Sequence, residues 1–212
     1  MISPFQDIKR EEVPDKILLI PFFPEKKYFS KIRDHAIKLK KVLFSEFIFF
    51  DHMMVITGFF GYPAVLTVLE FVANIKEKDL FFIGTAGGIN RELDGPVVLN
   101  VQEIFPDEAI KSLSDKKSFK MTRDYKTLYR NSSGVTVDII QRETPDWVSE
   151  QKKKGMDFVE MEIFPIASLM DRGFEARVIL TDAVTERGIQ SFGDKKRIKE
   201  LFIEQFEIFG GI

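Results

Sequence analysis

The sequence of 212 residues contains no cysteine, so it offers no thiolate nucleophile, no disulfide and no cysteine ligand for a metal. It contains two histidines, His35 and His52, which are too few for a histidine-rich metal centre. No acidic segment has the spacing of an EF-hand or a related carboxylate site. We therefore expect a protein that uses neither a metal nor another cofactor.

The chain also lacks an excess of charge of either sign. Its 31 basic residues nearly balance its 33 acidic residues, which gives a net charge of −2. Nucleic-acid and anionic-membrane binders usually carry a basic excess, so neither partner is expected. The first 16 residues lack the apolar stretch of a signal peptide, and the apolar run Met53–Leu69 is interrupted by the segment GFFGYP. These features predict a cytoplasmic protein.

Short apolar runs alternate with segments of helical period, a pattern that predicts an α/β fold with a mostly parallel sheet. Lys16–Phe23 and Leu80–Gly84 have the composition of buried strands, and Tyr28–Lys41 has the period of a helix with a basic outer face. The length suits a single domain over residues 1–212. Within it, residues 106–130 are polar and charged, and we expect them to form a flexible insertion.

Two glycine-containing segments follow predicted strands, namely Ile56–Ala64 (ITGFFGYPA) and Phe82–Asn90 (FIGTAGGIN). Ligands of α/β sheets bind where strands end, and glycine lets the backbone approach a ligand and expose its amides. Gly58, Thr85 and Gly87 are therefore candidates for binding an anion or a polar ligand. Neither segment matches a Walker loop or the GxGxxG pattern, and a glycine after a strand is more often just a turn.

The segment VEME places Glu160 and Glu162 between apolar residues. Carboxylates are costly in a core unless they are paired or hydrogen-bonded. If the segment is extended, residues two apart face the same side and both glutamates point into one cleft. If it begins a helix, both are solvated at a helix start, where acidic residues suit the dipole. The pattern alone favours the second interpretation.

The succession of ITGFFG, GTAGG, GPVVLNVQE and VEMEIFPIA resembles the nucleoside phosphorylase and nucleosidase superfamily, which includes purine nucleoside phosphorylases and methylthioadenosine/S-adenosylhomocysteine nucleosidases. The resemblance extends from about Lys16 to about Glu186. It implies a single three-layer α/β/α domain with a central mixed, mostly parallel sheet. It also implies a homo-oligomer, a dimer or larger, that cleaves the N-ribosyl bond of a purine nucleoside or a 5′-modified adenosine.

The resemblance assigns roles at the sugar and at the leaving base. Met161 and Glu162 match the pair that binds the ribose, with Glu160 beside them. Asp182 matches the aspartate that protonates the base, but it lies about three residues closer to Glu162 than the pattern requires. An ungapped count falls near Val184 or Thr185, so the sequence leaves open whether the acid is retained.

The nucleophile and the base pocket are assigned less directly. Glu25 resembles the glutamate that positions or deprotonates water in the nucleosidases. Phosphorylases carry a phosphate-binding arginine where this chain has Phe82, which favours water over phosphate. Gly58, Thr85 and Gly87 are the residues expected near that water or phosphate.

Ile140 and Phe158 are candidate contacts to the base, although residues of this kind more often pack in the core or at the surface. A phosphorylase with an atypical phosphate site remains an alternative. A nucleoside-binding protein that has lost its catalytic acid is the other alternative.

Overall fold

Strands and helices alternate along the chain in a computed structural model, which describes residues 8–21, 26–59, 61–89, 95–111, 115–121, 129–170 and 174–210. The strands are β1 (Lys16–Ile20), β2 (Lys38–Val42), β3 (Ser45–Phe49), β4 (Met53–Thr57), β5 (Asp79–Gly88), β6 (Val98–Pro106), β7 (Phe119–Lys120), β8 (Arg130–Thr136), β9 (Phe158–Glu160), β10 (Phe174–Thr185) and β11 (Gly188–Ser191). The helices are α1 (Lys26–Asp34), α2 (Tyr62–Asn74), α3 (Pro145–Lys153), α4 (Ile163–Leu169) and α5 (Lys195–Gly210).

All of these strands belong to one mixed sheet, in the order β11-β10-β6-β8-β9-β5-β1-β4-β3-β2, with β7 paired to β6. The pairs β1–β4, β1–β5, β5–β10, β6–β8 and β8–β9 are parallel. Strand β10 pairs with β6 on one side and with β5 on the other, so β5, β9, β8, β6 and β10 close into a ring. This ring brings the ends of β5, β9 and β10 together.

Helices cover both faces of the sheet, as the alternation in β1 illustrates. Ile17 and Leu19 enter a core with residues of α2 and α4, whereas Leu18 and Ile20 enter a second core with residues of α1 and α5. Strands buried on both faces appear in the sequence as continuous apolar runs, because every side chain is removed from water. The predicted three-layer α/β/α architecture is confirmed.

The helix predicted over Tyr28–Lys41 is wrong in its second half. Helix α1 ends at Asp34, and Lys38–Val42 forms β2, which pairs antiparallel with β3. Burial in β2 alternates along the strand, with Leu39 and Lys41 exposed and Lys38 and Lys40 partly buried. The basic residues that suggested the outer face of a helix are therefore distributed over both faces of an edge strand.

The strand predicted to end at Gly84 continues to Gly88, so GTAGG is part of β5 and is not a loop. Gly87 is needed for close packing between strands. A Cβ atom at this position would lie 2.4 Å from Cγ2 of Val184 in β10. The glycines therefore allow β5 and β10 to approach each other where the strands end.

Residues 106–130, the predicted insertion, are described in part. Strand β7 lies within them and pairs with β6, while residues 112–114 and 122–128 are outside the described ranges. The prediction of a flexible insertion is left untested. Among the described helices, none combines the length and the apolar composition needed to cross a bilayer.

Candidate active site

A cleft of about 510 Å³ opens where β5, β9 and β10 end, beside the 3-10 turn Ile140–Arg142. Its charged lining residues, within the described part of the chain, are four carboxylic acids. The cleft is lined by Thr85, Ala86, Gly87, Ile140, Glu143, Val159, Glu160, Met161, Glu162, Thr181, Asp182, Val184 and Ile189. The VEME segment, the GTAGG strand and Asp182 are thus brought together around one space.

Glu160 is buried at the end of β9 and holds the start of α4. Its Oε2 accepts hydrogen bonds from the backbone N–H groups of Glu162, at 2.6 Å, and Ile163, at 2.7 Å. Its Oε1 accepts a hydrogen bond from the hydroxyl of Thr136, which lies opposite it in β8. The same hydroxyl accepts from the N–H of Phe164 at 3.1 Å. Glu160 and Thr136 therefore satisfy the first amides of α4, which a helix cannot satisfy itself.

Glu162 is the N-cap residue of α4 and is 3% exposed. Its Oε1 accepts a hydrogen bond of 2.6 Å from the N–H of Gly61, the N-cap residue of α2. Its carboxyl group also accepts from the N–H of Met161. A carboxylate has about four acceptor positions, so two donors from the protein leave capacity for a ligand.

Burial raises the pKa of both glutamates above the ordinary value of 4.5. At Glu160 the charge of Glu162 adds to this rise, whereas the donors from Thr136, Glu162 and Ile163 lower the pKa. At Glu162 the amides of Gly61 and Met161 act in the same lowering direction. Donors aimed at a carboxylate stabilise its charged form, so the N–H groups offset part of the cost of burying these acids.

Asp182 lies in β10 and lines the cleft, despite its unusual distance from Glu162 along the chain. The pairing of β10 with β5 shifts register between Leu180 and Asp182. This irregularity brings Thr181, Asp182 and Val184 to the same cleft. The Oδ2 atom of Asp182 accepts a hydrogen bond of 2.7 Å from the hydroxyl of Thr181.

Glu143 is a cleft residue that the sequence did not indicate. It follows the turn Ile140–Arg142 and precedes Thr144, the N-cap of α3. Its Oε2 is buried and has no hydrogen-bond partner within the described part of the protein. Burial, followed by the charge of Asp182, raises the pKa of Glu143 to about 7. A glutamate just before a helix is common, so the sequence carried no distinguishing signal for it.

The three residues predicted near the water or phosphate are separated in the structure. Thr85 and Gly87 line the cleft. Gly58 follows β4 with φ of 89°, and its N–H donates to the carbonyl oxygen of Pro21 at 3.0 Å. A Cβ atom at Gly58 would lie 2.4 Å from the carbonyl oxygen of Phe44. Gly58 therefore shapes the loop that leads to Gly61.

The two candidate base contacts also differ in position. Ile140 lines the cleft and is 50% exposed. Phe158 is fully buried in the core beneath Gly134 and does not line the cleft. Met161 also lines the cleft, and its contact with a ribose stays a prediction. Glu25, the predicted nucleophile-site residue, is outside the described ranges.

Over the described ranges, no three His, Asp or Glu side chains are arranged to hold a metal ion. The chemistry available in the cleft is that of carboxyl groups. Two of these groups, Glu160 and Glu162, are held by backbone N–H donors. The other two, Glu143 and Asp182, line the same cleft, and the charge of Asp182 acts on Glu143.

No protein-family model and no curated protein matches this chain. Solved structures do match it along most of its length. The purine nucleoside phosphorylase of Toxoplasma gondii, in complex with immucillin-H, is 17% identical with a TM-score of 0.68, over 93% of this chain and 90% of its own.

Two nucleosidases are similar to a comparable degree. A putative methylthioadenosine nucleosidase of Weissella paramesenteroides is 17% identical with a TM-score of 0.66, over 92% of this chain and 97% of its own. The AMP nucleosidase of Bacteroides thetaiotaomicron is 13% identical with a TM-score of 0.66, over 98% of this chain and 94% of its own. At these identities the comparison establishes a shared fold.

Proposed function

We propose that this chain, which has the fold of the nucleoside phosphorylases and nucleosidases, hydrolyses the N-ribosyl bond of a purine nucleoside or a 5′-modified adenosine. The observation that carries the proposal is the meeting of Glu162, Met161 and Asp182 in one cleft. These residues were selected from separate parts of the sequence. Their convergence supports a site with a sugar end and a base end.

At the sugar end, Glu162 accepts hydrogen bonds from the hydroxyl groups of the ribose. Its donors from Gly61 and Met161 fix the carboxylate in place before the ligand binds. Met161 provides a polarisable apolar surface against the ring. Glu160 contributes indirectly, because its hydrogen bonds to Glu162 and Ile163 hold the turn that carries both residues.

At the base end, Asp182 protonates the leaving base. Breaking the bond between C1′ and the base leaves its electron pair on the base and positive charge on the sugar. The carboxylate of Glu162 stabilises the sugar charge, and a proton on the base neutralises the leaving group. Ile140 lines the same end and offers an apolar contact to the base.

The charges in the cleft support water as the nucleophile. Its described charged residues are the carboxyl groups of Glu143, Glu160, Glu162 and Asp182. Such a lining repels a phosphate dianion, whereas it attracts the positive sugar of the transition state. Phe82, at the position of the phosphorylase arginine, is buried and apolar.

Glu25 remains the residue proposed to activate the water, with Thr85 and Gly87 proposed to line its position. A homo-oligomer of two or more subunits is also proposed, and light scattering at micromolar concentration would measure it. No nucleic acid or membrane partner is proposed.

The test is to incubate the protein with a panel of purine nucleosides and 5′-modified adenosines, with and without phosphate, and to measure free base. We expect release of base without phosphate. Asp138→Ala serves as a control variant, because Asp138 is paired with Arg142 outside the cleft. It should behave as the wild type.

Two other outcomes would replace the proposal. Strict dependence on phosphate would indicate a phosphorylase whose phosphate site is built from other residues. Binding of a nucleoside without any release of base would indicate a binding protein. Absence of both binding and release across the panel would contradict the assignment of the cleft to nucleosides.

A further inference from the structure

Glu143 places a second carboxyl group at the base end of the cleft, in a position that the proposed reaction has not yet used. It lines the cleft together with Asp182, and the charge of Asp182 acts on it directly. Its Oε2 is buried without a hydrogen-bond partner in the described part of the chain. A buried, unsatisfied carboxylate is costly, whereas a protonated carboxyl group is much less so.

The surrounding charges also favour the protonated form of Glu143. Glu143 shares the cleft with Asp182 on β10, Glu160 on β9 and Glu162 at the start of α4, all of which are acidic. The neighbouring cations are directed elsewhere. Arg142 pairs with Asp138 at 3.1 Å and approaches Asp107 at 3.9 Å, and Lys152 of α3 pairs with Glu186 at 2.8 Å.

We infer that Glu143 and Asp182 form a carboxyl pair that shares one proton, and that Glu143 stores the proton which Asp182 delivers to the leaving base. This inference rests on the proposed function and assigns a positioning role to Glu143. A single aspartate could not readily supply this proton. An isolated aspartate has a pKa of about 3.9 and would be ionised at neutral pH. Two nearby carboxyl groups do not both ionise readily, so the pair retains one proton.

The proton balance of the step is complete. As the bond from C1′ to the base breaks, its electron pair stays on the base, and the proton of the pair moves to a base nitrogen. The oxygen of water forms the new bond to C1′ and loses one proton. That proton restores the pair through solvent, so the net change is the addition of water. No oxidant, reductant or other reactant is required.

The first test compares the pH dependence of kcat for the wild type and Glu143→Gln. In the wild type, kcat should fall as the pH rises above about 7, where the shared proton is lost. In the variant, the neutral amide cannot hold this proton, so the fall should begin at a lower pH. At neutral pH the loss should be about 10²-fold, the lower range for general acid catalysis. Activity should recover as the pH is lowered.

Glu150→Gln is the matched control, because Glu150 is an exposed residue of α3 that pairs with Lys154 outside the cleft. It should leave the pH profile unchanged. A Glu143→Gln profile that coincides with that of the wild type would overturn the inference. A uniform loss at every pH would also overturn it, because a merely structural role would lower activity without moving the profile.

A second measurement does not depend on turnover. Carboxyl-carbon NMR of glutamate-labelled protein should show Glu143 titrating near pH 7. In Asp182→Asn its pKa should fall, but it should stay above the ordinary value of 4.5, because burial is the larger cause of the shift. Titration of Glu143 near pH 4.5 in the wild type would overturn the inference even if no nucleoside is cleaved. If the NMR result is as expected and the panel yields no base, the proposed function fails while the shared proton stands.

Discussion

Glu160 and Glu162, at the proposed sugar end of the cleft, are supplied with donors by the protein, whereas Glu143 and Asp182, at the proposed base end, largely are not. Glu160 accepts from a hydroxyl and two backbone N–H groups, and Glu162 accepts from two backbone N–H groups. Asp182 accepts from the hydroxyl of its own neighbour, Thr181. Glu160 and Glu162 are also the more deeply buried pair, at 4% and 3% exposed, whereas Glu143 and Asp182 are partly exposed, so the two ends differ in burial as well as in donors.

This difference determines what each end can do chemically. N–H donors stabilise a carboxylate and hold it as an acceptor, which suits recognition of sugar hydroxyls and of positive charge. Burial raises the pKa at both ends; the donors offset part of this rise at Glu160 and Glu162, whereas Oε2 of Glu143 has no such donor among the described residues. We therefore propose different roles for carboxyl groups that line one cleft. Variants at the two ends should accordingly fail in different ways.

The largest effect is expected from Asp182→Asn, which removes the acid but keeps the shape of the side chain. Because the acid acts in the transition state, kcat should fall by roughly 10²–10⁴-fold, while nucleoside affinity should change little. Steady-state kinetics and calorimetry measure the two quantities separately. Asp138→Asn, beside the same turn but outside the cleft, is the control. Unchanged turnover in Asp182→Asn would remove Asp182 from the reaction.

A smaller effect, on binding, is expected from Glu162→Ala. A hydrogen bond to a charged group is worth roughly 1.5–3 kcal/mol, so nucleoside affinity should fall by about tenfold or more. Binding of the free base should be spared, because it lacks the ribose. Glu162→Gln keeps an acceptor for the N–H of Gly61 and controls for loss of the fold. Equal loss for nucleoside and free base would contradict the ribose assignment.

The place of the VEME segment at the cleft could be predicted from the sequence more readily than that of Asp182 or Glu143, for physical reasons. VEME is a local pattern. The spacing of the apolar residues before and after it places it between a strand and a helix. The cleft position of Asp182 depends on a register shift between β10 and β5, which no spacing along one strand reveals. Glu143 depends on contacts across the fold, since its neighbour Asp182 is 39 positions away (182 − 143 = 39).

The errors in the predicted secondary structure also arise from contacts between different segments of the chain. Strand β2 was predicted as the end of a helix because its lysines fit either period over a few residues. The segment forms a strand because β3 is available to pair with it. The backbone of β2 forms hydrogen bonds with the edge of β3. The extension of β5 through GTAGG was missed for the same reason, because close packing against Val184 favours glycine there.

The smallest effect, and the one that tests the comparison most directly, concerns the stability of Glu143→Gln. The folded-state pKa of Glu143 is raised from 4.5 to about 7, so the folded protein binds the proton more tightly than the unfolded chain. The stabilisation from this proton is complete below about pH 4.5 and is lost as the pH rises to about 7. Glutamine remains neutral throughout.

The free energy of unfolding of Glu143→Gln should therefore rise relative to that of the wild type between these two pH values, and the difference should level off above them. Urea titrations at about pH 4.5 and about pH 8 measure it. Glu160→Gln should instead be destabilised at about pH 4.5, because an amide offers one oxygen to the donors that hold Glu160. Burial also raises the pKa of Glu160, so the difference between this variant and the wild type should shrink at higher pH. If Glu143→Gln loses as much stability as Glu160→Gln at about pH 4.5, donors do not distinguish the two ends of the cleft.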